Sequence, residues 1–151
     1  MSPIDTVVAM LTNIGDPSVM RSLVADDCTY ISLNKNNPDL HKIMPWCGTN
    51  LGGDSVIENF GKIFQCWDIM EFNPVEIFGS DDRVAVFGTF KYRSKVQGQI
   101  VDSPFAILSK AKDGKVNFIQ FMEDTFATSA SFKVSGSATY NNFPGTEPIV
   151  V

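Results

Sequence analysis

Hydrophobic residues recur at helical spacing in the first half of the chain and alternate like strand residues in the second. Ile4, Val7, Val8, Leu11 and Ile14 follow the i, i+3, i+4, i+7 pattern and predict a helix from Pro3 to Ile14. Gly15-Asp16-Pro17 ends it and opens a second helix, with Asp16 as N-cap and Pro17 in the first helical position. Val19, Met20, Leu23 and Val24 give that helix one apolar face, and Asp26-Asp27 breaks the pattern. Cys28 to Leu33 reads as a short strand, rich in β-branched and aromatic residues. Asn34 to Gly53 is long and polar, with Pro and Gly, and reads as a lid or binding loop or as a segment holding a short helix. Asp54 is expected to cap a third helix, on which Val56, Ile57, Phe60, Ile63, Phe64 and Trp67 form a wide apolar stripe.

Four strand segments follow. Phe72 to Gly79 contains Pro74, which suits a strand start or an edge. Arg83 to Arg93 and Gln99 to Lys110 come next, and the pair Asp113-Gly114 predicts a two-residue hairpin turn, whose central positions need positive φ. The last strand runs to Glu123-Asp124 with apolar residues on both faces, as in a strand covered on both sides. The order α-α-β-α-β-β-β-β is that of an α+β domain with its helices gathered on one face of an antiparallel sheet. Residues 1–132 are expected to be one domain, with 133–151 a polar tail, disordered or docked.

If the hairpin pairs Lys112 with Lys115, Asp124 stands opposite Ser103, Met122 opposite Phe105, and Gln120 opposite Ile107. That puts Asp124, Ser103, Met122, Phe105 and Gln120 on one face, with Glu123, Phe121 and Ile119 on the other. A bulge near Pro104 would shift the register by one and exchange Glu123 for Asp124. Asp124 has two readings: a general acid or base in an apolar pocket, or a strand-end carboxylate accepting N–H bonds from the turn at Thr125 to Ala127.

The run Gly114-Lys115-Val116, followed by Phe121-Met122-Glu123-Asp124-Thr125 and small residues, resembles the last strand of SnoaL-like polyketide cyclases. These sit in the superfamily of nuclear transport factor 2 and ketosteroid isomerase. With the element order, the resemblance spans residues 4 to 132. It implies a sheet curled into a cone around three helices, with a pocket at its mouth and Asp124 pointing in. Ketosteroid isomerases carry a base just after the first strand and a tyrosine in the first helix; here Ser32 to Asn34 has no carboxylate and the first helix no tyrosine. The epoxide-hydrolase relatives use an Arg-x-Asp pair, which follows neither Arg83 nor Arg93.

The net charge of −5 argues against a nucleic-acid surface. Lys91, Arg93 and Lys95 alternate onto one side of a strand and read as a solvated face. No stretch is long enough to span a membrane and none resembles a secretory leader. Three widely spaced cysteines point to free thiols in a reducing, cytoplasmic setting. With one histidine and no paired thiols, no metal ligand set is expected, and no cofactor signature occurs.

The expectation is therefore cofactor-free acid–base chemistry on a small hydrophobic carbonyl compound, of cyclase, isomerase or dehydratase type, with Asp124 as base. Ser103, Tyr30 or Tyr92 would act on the oxygen. Trp46, Met122, Phe105, Gln120 and Phe60 are the expected ligand contacts. His41 reads as a surface residue or as a lid group over the ligand. A ligand carrier or an association subunit of the same fold are the alternatives. A homodimer is expected through a sheet face carrying Phe121, Ile119, Leu108, Ala106 and Phe87.

Overall fold

A computed structural model describes residues 1–151. Two helices, α1 (Pro3–Thr12) and α2 (Pro17–Leu23), start at the expected residues, α2 with Asp16 as its cap. Ser2 and Asp5 form a reciprocal capping box on α1, and the Asp16 side chain accepts from the N–H groups of Ser18 and Val19 on α2. Strand β1 (Val24–Ser32) follows without a loop and is longer than its apolar core suggested, because Asp26 and Asp27 continue it as exposed residues. The polar segment after it is built: α3 (Pro38–Ile43), capped by Asn37, and strand β2 (Gly48–Leu51), which returns antiparallel on β1.

Helix α4 (Gly53–Cys66) opens differently from expectation. Its N-cap is Gly52 at φ 94°, and Asp54 lies inside the first turn, where it pairs with Arg21 at 2.5 Å. Glycine is required here because a Cβ on Gly53 would stand 2.7 Å from the Ala25 carbonyl oxygen of β1. Trp67 leaves the helix and begins β3 (Trp67–Ser80), which pairs with β4 (Arg83–Ser94), then β5 (Ile100–Lys112) and β6 (Lys115–Glu123). Helix α5 (Thr125–Ala130) closes the body. The six strands run in the order β2-β1-β6-β5-β4-β3, antiparallel throughout except that β1 and β6 are parallel. The architecture is α+β, a curved sheet around the helices of the first half, with short α3 added to the three expected.

Asp113 and Gly114 turn at φ 52° and 75°, as a type I′ hairpin requires, and Lys112 faces Lys115. The register then slips. Ala111 pairs with Val116 but Lys110 pairs with Phe118, so Asn117 is an extra residue and β6 bulges at the turn rather than near Pro104. Beyond the bulge Phe105 faces Glu123, Ile107 faces Phe121 and Ser109 faces Ile119, all on the inner side of the sheet. Met122 and Gln120, expected on the ligand side, lie on the outer face opposite Ala106 and Leu108. Phe121 and Ile119, expected on the outer dimer face, are buried in the core. The fully buried side chains include Trp46, Trp67, Tyr30 and Phe90, contributed by β1, the α3–β2 connection, the start of β3 and β4. After Phe132 the chain runs exposed, with a two-stranded ribbon of β7 (Thr139–Tyr140) and β8 (Ile149–Val150).

Candidate active site

The inner side of the sheet and the helices enclose a cavity of about 210 Å³. An engineered cavity of roughly 150 Å³ in another protein holds benzene, so this one is suited to a small ring compound. The α1–α2 corner supplies Leu11, Thr12, Ile14 and Gly15, and α4 supplies Phe60, Ile63 and Phe64. The strands add Tyr30, Ile69, Phe72, Tyr92 and Phe121, with Trp46 and Trp67 at the side. Twelve of the fifteen lining residues are hydrophobic, and Glu123 is the only carboxylate among them. A larger hollow beside α5, about 670 Å³, is an open groove at Phe126, Phe132 and Lys133.

Glu123 reaches the cavity because of the bulge at Asn117. Its Oε2 is buried and has no hydrogen-bond partner. Burial pushes its carboxyl up to about 7; the Thr128 hydroxyl holds it down in part, and the neighbouring charge of Asp124 adds to the rise. Thr128 is itself fully buried, and its one hydroxyl hydrogen is shared between the Glu123 carboxyl and the Asp124 carbonyl, which lies 3.1 Å from Oγ1.

Asp124 is elsewhere. Its backbone N–H donates to Ser103 Oγ at 3.0 Å, and its carboxylate, exposed to solvent, caps α5 by accepting the Ala127 N–H at 3.1 Å. The strand-end reading thus describes its geometry, and the expected approach of its carboxylate to the pocket does not occur. Ser103 is consumed in the same joint, giving its hydrogen to the Pro104 carbonyl at 2.7 Å. Phe105 stacks on Phe72 at 4.6 Å between ring centres and supports the cavity wall from behind. His41 bonds through Nδ1 to the Cys47 carbonyl at 2.8 Å and pins the α3–β2 connection, away from the cavity.

The two tyrosines do meet at the site, with different commitments. Tyr30 stacks on Phe60 at 4.5 Å and gives its hydroxyl hydrogen to Ser32 Oγ at 3.2 Å. Burial raises its pKa, and the charge of Glu123 raises it further against the Ser32 bond. Tyr92 stacks on Phe90 at 3.9 Å, and its hydroxyl has no protein partner. Burial, then the charge of Glu123, raises its pKa as well. Trp46 packs against Trp67 at 5.0 Å, and Trp67 donates its indole N–H to Ser131 Oγ at 3.0 Å, tying the wall to the end of α5. Sequence reasoning named Tyr30, Tyr92, Trp46 and Phe60, gave Glu123 only as the alternative to Asp124 under a register shift, and missed Trp67, Phe64 and Phe72 as cavity residues. Nowhere in the chain do three His, Cys, Asp or Glu side chains converge as a metal site.

A curved, mostly antiparallel sheet wrapped around helices in this order is the NTF2-like fold. An NTF2-like protein from Burkholderia xenovorans superposes with a TM-score of 0.74 at 20% identity, over 87% of this chain and 95% of that one. The fold is shared with SnoaL-like polyketide cyclases and ketosteroid isomerase-like proteins. No family model matches the sequence. Patulin synthesis protein F from Aspergillus clavatus is 37% identical over 149 residues, covering 95% of this chain and 75% of its own length. Patulin biosynthesis cluster protein F from Penicillium expansum is 38% identical over 136 residues, covering 87% and 68%. The chain belongs to the family of these F proteins.

Proposed function

We propose that the chain is a cofactor-independent acid–base enzyme converting a small hydrophobic carbonyl compound, with Glu123 rather than Asp124 as the proton-transferring group. One observation carries the reading: a buried carboxyl with a free oxygen, at the end of an aromatic cavity, beside a tyrosine hydroxyl with no protein partner. A carboxyl near 7 is a usable base and a usable acid at neutral pH. The substrate carbonyl oxygen accepts from Tyr92 while the Glu123 carboxylate takes the proton from the adjacent carbon. The enolate so formed keeps its charge on the oxygen held by Tyr92. Glu123 then returns the proton to another carbon, which isomerises, or to a departing hydroxyl, which dehydrates. Tyr30, whose hydrogen is spent on Ser32, orients the wall. The relatives' naming for patulin synthesis supports a biosynthetic substrate.

The same reading takes residues 1–132 as the functional unit, with 133–151 as an appendage. A cytoplasmic setting fits the three free cysteines. The partner is a second copy, through the outer face of the sheet. Phe78, Phe87, Leu108 and Met122 stand there 55%, 49%, 38% and 50% exposed, more apolar surface than single scattered side chains present.

The test is deuterium exchange into cyclohex-2-enone in D2O, followed by proton NMR. The native protein should accelerate it. Glu123→Gln should lower the rate by about two to four orders of magnitude and Tyr92→Phe by a smaller factor, while Asp124→Asn keeps most of it. Undiminished exchange in Glu123→Gln removes the acid–base assignment.

A further inference from the structure

We propose that the cavity accepts uncharged ring compounds and rejects carboxylates and phosphates. The inference rests on the reading of this cavity as the substrate site and names what that site selects. The chain has 12 lysines and arginines and one histidine, and none lines the cavity. The cations near its strands are engaged outside it: Arg93 and Lys95 pair with Asp68, and Lys91 with Asp102. An anionic ligand would therefore lose its hydration and find no counter-charge. It would also share the cavity with the carboxyl of Glu123.

A neutral ligand meets the opposite conditions. Phe60, Phe64, Phe72, Phe121, Trp46 and Trp67 offer ring faces and edges to a flat apolar body. Glu123 is the one carboxyl among the lining residues that can meet a hydroxyl or an acidic C–H, and the Tyr92 hydroxyl can meet a carbonyl oxygen. The lining thus discriminates by charge at a place where size alone would not.

Calorimetric titration with methyl 3-hydroxybenzoate and with 3-hydroxybenzoate near neutral pH tests this on the full chain. These two probes share the ring and differ in charge. The ester should bind, and the acid should bind at least about 100-fold more weakly. In Glu123→Gln the acid should remain at least about tenfold weaker than the ester, since no cation has been added. An acid that binds as well as the ester, or failure of both probes at millimolar concentration, overturns the proposal. Acid rejection with intact ester binding, but no proton exchange by the native protein, would uphold it and overturn the acid–base reading instead.

Discussion

Replacing Glu123 by Gln gives a stability measurement that needs no substrate. In the folded protein this carboxyl is raised by burial from 4.5 to about 7. At about 1.36 kcal/mol per pH unit, that difference corresponds to about 3 kcal/mol between the protonated and charged forms. The sign follows from proton binding. Between the two values the folded state holds a proton that the unfolded chain has released, so stability falls as pH rises. Below about pH 4.5 Gln imitates a carboxyl protonated in both states, and the two proteins should have nearly equal stability. Above about pH 7 native protein carries the full penalty of a desolvated carboxylate, and Glu123→Gln should be the more stable by about 3 kcal/mol. Urea unfolding of both proteins across this range, compared as a difference, cancels every other titrating group. A difference that stays flat with pH, or a Gln variant that is less stable at about pH 8, would show Glu123 to be hydrated or paired. The proposed base would then have no physical support.

Gly88→Ala should destabilise the protein by about 1–3 kcal/mol, read by thermal or urea unfolding, because the added Cβ would meet the Asn73 carbonyl and stand 2.7 Å from Phe105 Cζ. Sedimentation equilibrium at micromolar concentration should show a dimer, and Phe87→Arg on the outer sheet face should give a folded monomer; a native monomer or an unaffected variant counts against the sheet-face interface.

The fold was legible because its elements are locally consistent. The cap at Asp16, the Asp113-Gly114 turn and the alternation of β4 and β5 each agree with the whole. In β5 the charges at Asp102, Lys110 and Lys112 leave Ser103, Phe105 and Ile107 as the inner set, and that is what forms. β6 gave no such cue. Phe118, Ile119, Phe121 and Met122 make both faces apolar, so periodicity could not reveal that Asn117 is looped out. Only Gln120, polar on what became the outer face, hinted at the shifted phase. The α3–β2 segment was hidden for a different reason. Its elements are six and four residues long and carry no buried residue in α3, too short for a periodic signal.

The bulge at Asn117 bears on how sequences of this kind can diverge. Glu123 and Asp124 are adjacent acids, and a strand has only two sides. Losing the extra residue at the hairpin would rotate the strand's phase and offer the cavity the shorter acid, without a single substitution at the site. An insertion or deletion near the turn could then change acid length, reach and basicity together. Alignments that match such acids column by column would equate residues that face opposite ways.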